Sequence, residues 1–243
     1  MYDIFDAINE QKNKANAPLA ERMRPQSLRD FLGQSHICEN GSLLRRAISL
    51  DKVGSCIFWG PPGTGKTTLA NIIANSTSGN FVKLNAVSSG VADVKKAVDE
   101  ARESLKMYGR KTYLLLDECH RFSKTQSDSL LPAIEQGTII FIGSTTENPY
   151  ASMTPAIVSR CRVFEFKRLD DETVKKALYK AINDKKNGYG LLDLKVEEEA
   201  IEHIALMSGG DLRTAYNALE LAVLTTEADE SGKTVVTLKD AEQ

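Results

Sequence analysis

Apolar positions fall into two rhythms along this chain. Between Ser55 and Phe166, short apolar runs recur: Cys56-Ile57-Phe58-Trp59, Phe81-Val82-Lys83-Leu84-Asn85, Tyr113-Leu114-Leu115-Leu116, Thr138 to Ile142 and Arg162 to Phe166. Each has the length of a strand. Between them lie stretches with apolar residues at helical spacing: Thr68 to Ala74, Val91 to Met107, Ser127 to Glu135 and a short one around Pro155 to Ser159. Strands alternating with helices predict an α/β fold, a parallel five-stranded sheet covered on both faces. From Asp170 the strand rhythm stops. Asp171 to Ile182, Val196 to Met207 and Leu212 to Thr225 read as three helices, broken by Asn187-Gly188-Tyr189-Gly190 and Ser208-Gly209-Gly210-Asp211. A small all-helical domain is therefore expected after the α/β domain.

The flanks are less regular. Asp3 to Lys12 carries Ile4, Phe5 and Ile8 at helical spacing and reads either as a docking helix or as a frayed terminus. Two prolines punctuate Pro18 to Pro25, and Gly41 to Leu50 reads as a helix. The expected division is a flexible segment over 1–17, the α/β domain over 18–168 and the helical domain over 169–243. Thr234 to Gln243 reads as a weak strand and the start of another helix, so the chain is expected to be cut short.

One stretch carries chemistry outright. Gly60-Pro61-Pro62-Gly63-Thr64-Gly65-Lys66-Thr67 matches G-x-x-x-x-G-K-T, with a buried strand before it and a helix beginning at Thr68 behind it. Glycines let the backbone curl so that its N–H groups surround a polyphosphate, and the helix start adds positive potential. Lys66 is expected to reach the terminal phosphates of ATP, and the Thr67 hydroxyl to bind Mg²⁺. The strand Leu114-Leu115-Leu116 ends in Asp117-Glu118. Parallel sheets place ligands at the carboxyl ends of their strands, so both acids should arrive beside the phosphate loop. Asp117 is expected in the Mg²⁺ shell, and Glu118 is expected to polarise the attacking water. After the strand Thr138 to Ile142, Thr146 is the best-placed sensor of the γ-phosphate, with Asn148 second. Turn chemistry explains the same residues on its own.

Composition narrows the class. Basic and acidic residues number 31 and 33, so no global positive field points to nucleic acid. The four cysteines are scattered without a C-x-x-C pair, against a zinc module or a disulfide framework, and the three histidines are equally dispersed. No apolar run approaches a membrane span, and no signal-peptide core opens the chain. The expectation is a cytoplasmic protein with no membrane partner.

The order of Gly60–Thr67, Asp117–Glu118, Thr145-Thr146, Ser159-Arg160-Cys161 and Gly210-Asp211-Leu212-Arg213 resembles AAA+ ATPases of the clamp-loader branch. Longer strings sharpen this. Glu21-Arg22-Met23-Arg24-Pro25, Asp117-Glu118-Cys119-His120-Arg121-Phe122, Phe141 to Pro149 and Asp184 to Gly190 resemble the replication-associated recombination protein A family, which includes the Werner-helicase-interacting ATPase. The resemblance runs from about Pro18 onward and departs at Cys119, where an aliphatic residue is more familiar.

The resemblance implies roles. Arg160 would be an arginine finger acting in a neighbouring subunit's site, a choice over Arg162 that the residues alone leave open. Arg213 would be a second sensor on a helical lid, and Asn85 would restrain Glu118 until DNA is present. Arg24, Pro25 and Ile37 would border the adenine. DNA phosphates would meet the helix starts Ser88-Ser89-Gly90 and Ser123-Lys124-Thr125, with Lys95, Lys96 and Lys124 adding charge; helix capping and a solvated face explain these residues equally well. Homo-oligomers would assemble through a C-terminal domain missing here, and single-stranded-DNA-binding protein and other replisome components would be partners in a nucleoid-associated bacterial role. The expected function is a DNA-dependent ATPase of replication-fork maintenance and recombination, acting at single-stranded DNA or duplex ends. A clamp-loader motor, a branch-migration motor and a nucleotide-switched scaffold are the alternatives. Lys66, Glu118 and Arg160, all present, argue against the scaffold.

Overall fold

A computed structural model describes residues 16–242, so the stretch Asp3 to Lys12 lies outside the described residues. Two compact units are present: 25–167, and a second comprising 168 onward with the segment ending at Arg24.

The first unit is built on five strands: β1 (Cys56–Trp59), β2 (Asn80–Asn85), β3 (Thr112–Asp117), β4 (Ile139–Thr145) and β5 (Arg162–Glu165). They pair in the order β2-β3-β4-β1-β5, every pair parallel. Side chains alternate across a strand, so each apolar run splits between two cores. Leu114 and Leu116 join Ile57 and Phe141 on one face, beneath Val94, Ala97, Val98 and Leu130 of the helices Val91–Tyr108 and Lys124–Glu135. Tyr113 and Leu115 join Phe58, Ile140 and Ile142 on the other, beneath Leu69, Ala70 and Ile73 of the helix Lys66–Ser76. Burial on both faces explains why these strands read as continuous apolar runs rather than alternating ones.

The second unit holds the helices Asp171–Asn183, Glu198–Met207 and Leu212–Thr225, which bury Val174, Leu178, Ile201, Ile204 and Leu219. It also holds a parallel two-stranded ribbon, β6 (Leu194–Val196) with β7 (Thr234–Val236). Each ribbon strand is three residues long, and β6 is too short for the apolar rhythm to reveal. The single turn Leu19–Arg22 belongs to this unit. The Leu19 N–H donates to both carboxylate oxygens of Glu220, at 2.9 and 3.0 Å, and the Arg22 guanidinium lies 5.5 Å from the centroid of the Tyr189 ring. Thus the Pro18–Arg22 stretch is held by contacts with residues 167 to 201 positions away in sequence.

Candidate active site

The phosphate loop joins β1 to the helix Lys66–Ser76, and its shape rests on glycine. Gly60, Gly63 and Gly65 have φ of 141°, 66° and 98°, values that side chains rarely tolerate. At Gly60 a Cβ would also sit 2.1 Å from the Phe166 carbonyl oxygen, so no other residue fits there. The Thr64 hydroxyl donates to the Pro61 carbonyl at 2.8 Å, closing the loop on itself. Lys66 is buried, and its ammonium donates to the Gly60 and Pro61 carbonyls at 2.8 and 2.6 Å, which holds the charge inside the curl.

Gln34 is a contributor that sequence reasoning missed. It is buried in a left-handed conformation; its amide nitrogen donates to the carbonyls of Thr64 (3.3 Å) and Lys167 (2.7 Å), and its amide oxygen accepts from the Lys167 N–H at 2.9 Å. One side chain therefore ties the loop to the end of β5. A lone glutamine in an irregular stretch gives no signal of this.

The acids arrive at the same rim. Asp117 is the last residue of β3, and its carboxylate accepts from the Thr67 hydroxyl at 3.3 and 3.5 Å and from the Ser144 hydroxyl of β4. Glu118 follows with φ 54° and ψ 42°, a left-handed conformation that is uncommon for a side-chain-bearing residue and turns the chain sharply off the strand. Non-glycine residues held this way cluster at functional sites.

The other expected residues are placed as follows. Thr145 ends β4 and is buried, while Thr146 is exposed just beyond it. Asn148 caps the turn Pro149–Ser152 by accepting from the Tyr150 N–H at 3.0 Å. Asn85 pairs with Asp117 in the sheet register, and its side-chain oxygen accepts from the Val87 N–H at 2.8 Å. Pro25 and Ile37 lie in the α/β unit, and Ile37 packs against its core. Arg24 lies in the other unit and pairs with Glu21 at 2.5 Å. Arg213 is exposed in the first turn of Leu212–Thr225, where Asp211 caps the helix by accepting from the Arg213 N–H.

Comparison with known proteins agrees with this geometry. Residues 56–169 match the model of the ATPase family associated with various cellular activities (AAA), and residues 190–243 match the AAA C-terminal domain. The chain belongs to the AAA ATPases. Replication-associated recombination protein A of Escherichia coli is 45% identical over 219 residues, covering 90% of this chain and 49% of that protein. ATPase WRNIP1 of Dictyostelium discoideum is 41% identical over 231 residues, 94% of this chain and 26% of that protein. The chain thus spans about half the length of the curated bacterial relative or less. Among solved structures, the Thermotoga maritima RuvB Holliday junction branch migration motor superposes with a TM-score of 0.71 at 25% identity, covering 91% of this chain and 71% of that one. The resemblance read from the motifs is borne out, and so is the fold.

Two further features of this AAA ATPase bear on its chemistry. The oxygens of Thr67 and Asp117 are hard donors suited to Mg²⁺, and among the described residues no group of three or more His, Cys, Asp or Glu could hold a metal alone. A cation at Thr67 and Asp117 would draw its remaining ligands from substrate phosphates and water, as Mg²⁺ commonly does. Arg160 lies elsewhere. It precedes β5, whose first residue pairs with the first residue of β1, so it sits at the amino rim of the sheet. There it pairs with Glu135 at 2.5 Å and donates to the Ala156 carbonyl at 2.7 Å. Strand rise of about 3.3 Å per residue over the length of β1 separates that rim from the phosphate loop by roughly 15 Å.

Among the described residues no helix is long and apolar enough to cross a membrane.

Proposed function

We propose that this AAA ATPase is DNA-dependent and hydrolyses ATP to ADP and phosphate in replication-fork maintenance and recombination, at single-stranded DNA or duplex ends. The observation that carries the hydrolytic part is the convergence of the Gly60–Thr67 loop, Thr67 and Asp117 at one rim of the sheet. In this reading the loop N–H groups and Lys66 hold the β- and γ-phosphates, with Thr68 at the helix start behind them. Mg²⁺ at Thr67 and Asp117 would offset the charge on the phosphate oxygens. Glu118 takes a proton from the water whose oxygen attacks the γ-phosphorus, and the bond to the ADP oxygen breaks. Thr146 and Arg213 sense the γ-phosphate, and Asn85 restrains Glu118.

Arg160 completes the site of a neighbouring copy. Its place at the opposite rim from its own phosphate loop supports that assignment, because a finger anchored there stands away from its own substrate. The working form is then a homo-oligomer in the cytosol. Its assembly through further C-terminal sequence and its contact with single-stranded-DNA-binding protein are part of the same proposal. The names of the relatives support a place in replication and recombination.

For DNA, the two candidate helix starts share one patch. Gln126, in the first turn of Lys124–Glu135, donates to the Ser89 carbonyl at 2.8 Å, just ahead of the helix Val91–Tyr108. Two helix N-termini side by side, with Lys124 at the start of one, form a surface suited to backbone phosphates. The test is ATP turnover by the full-length protein with single-stranded, blunt, tailed, forked and closed circular duplex DNA. Stimulation by the first four and not by the closed circle is expected. Equal rates with all five and without DNA contradict DNA dependence.

A further inference from the structure

One more side chain stands beside the acids. His120 lies in the single 3-10 turn Cys119–Arg121 that follows Glu118, and its side chain is only 8% exposed. Its ring touches three groups. Nδ1 is 2.8 Å from the Thr145 hydroxyl oxygen and 3.5 Å from Glu118 Oε2. Nε2, on the far side of the ring, is 3.5 Å from Glu147 Oε1. Thr145 is itself buried at the end of β4, and its hydroxyl oxygen accepts from the Glu147 N–H at 3.0 Å, so the group that fixes the ring is fixed in turn. Asn85, by contrast, spends its side-chain oxygen on the Val87 N–H, within its own turn.

We propose that His120, held by Thr145, is the positioning residue for Glu118, and that the Nδ1 edge of its ring sets where the carboxylate stands. This rests on the reading of Glu118 as the group that activates water. Glu118 needs such a support: its side chain is 40% exposed, and it stands one residue past the strand in a left-handed conformation. A carboxylate displaced by about 1 Å from the attacking water can lose about 10² in rate without any loss of substrate binding. A neutral imidazole donates from only one nitrogen at a time. With the proton on Nδ1 the ring serves Thr145 and Glu118; with the proton on Nε2 it serves Glu147. Glu147 thus competes with Glu118 for the same ring, and the occupancy of the two tautomers is part of the device.

Three substitutions separate a positioning role from a merely structural one. Asparagine places an amide near the Nδ1 position, glutamine places one near Nε2, and alanine places neither. His120→Ala should lower kcat for ATP about 10²-fold with KM within about twofold. His120→Gln should fall with it, and His120→Asn should recover most of the parental kcat. Parental kcat in all three, or equal loss in all three, overturns the proposal. A second readout needs no turnover. The chain has three histidines, so imidazole nitrogen resonances can be assigned individually. Glu118→Gln should shift the Nδ1 resonance of His120 and leave those of His36 and His203 in place; an unmoved His120 overturns the contact. A parent that binds ATP but never hydrolyses it contradicts the hydrolytic reading instead, and the resonance comparison still decides the contact. It decides equally if an His120 variant fails to fold.

Discussion

Asp51 and Asp117 stand at opposite rims of the same parallel sheet, and only the first is also anchored by a main-chain N–H among the described residues. Asp51, at the amino rim, accepts from the Ser78 N–H and hydroxyl at 3.2 and 2.9 Å and from the Tyr113 hydroxyl at 3.1 Å. These donors come from the approaches to β2 and from β3, so the carboxylate clips neighbouring strands together. The Asp117 carboxylate, at the carboxyl rim, accepts from hydroxyls among the described residues, those of Thr67 and Ser144. Hydroxyls can rotate and share their carboxylate with a cation, whereas Asp51 is also tied to a main-chain N–H, which cannot turn away. The amino rim closes on the fold's own groups. The carboxyl rim gathers a glycine-shaped loop, a helix start and two acids, which is where an open α/β sheet receives its ligand.

The sharpest way to break this comparison is through Arg160, the amino-rim residue assigned to a neighbour's carboxyl rim. Arg160→Ala should lower ATP turnover by about 10³–10⁵, the range seen for such cations, while Arg162→Ala should change it far less. Mixing Arg160→Ala with Glu118→Gln should restore part of the activity, since each variant supplies what the other lacks. A mixture as inactive as its components contradicts action between copies. Next in size is Lys66→Ala. Losing hydrogen bonds from a charged donor costs about 1.5–3 kcal/mol, so ATP affinity measured by titration should fall about ten- to a hundredfold.

The smallest effect belongs to Asp51 and touches stability alone. Its carboxyl is held below the ordinary value, first by the Thr77 hydroxyl and then by Ser78 and Tyr113 against a desolvation cost. A carboxylate with a depressed folded-state pKa contributes stability in full above its unfolded value, about 3.9. That contribution is lost as pH falls through the folded value. Asp51→Ala should therefore melt below the parent at pH 7, with the gap closing below about pH 4. Nucleotide affinity should not change. A gap that persists unchanged to pH 2, or a loss of ATP binding, would merge the two rims that this account keeps apart.

Much of the carboxyl rim was legible in sequence because its parts are local. The phosphate loop is eight consecutive residues between a strand and a helix, and Asp117 follows an apolar run whose burial on both faces marks it as an inner strand. What escaped depends on distant partners or on a single dihedral angle. The left-handed turn at Glu118 has no glycine to announce it. Gln34 reaches Lys167 across 133 positions, and Leu19 reaches Glu220 across 201, so no local pattern encodes either contact. At the end of β4 the sequence offered two adjacent threonines. Which one is buried depends on where the strand stops, and it stops at Thr145. The ribbon strand β6 is three residues long and pairs with residues forty positions later, beyond the reach of periodicity.

The most direct test of the central claim is to measure ATP binding and ATP turnover side by side for the parent and Glu118→Gln. If the acid following β3 activates water beside a separately built phosphate loop, the variant binds ATP as tightly as the parent and hydrolyses it about 10²–10⁴-fold more slowly. Undiminished turnover, or binding lost together with hydrolysis, would contradict it.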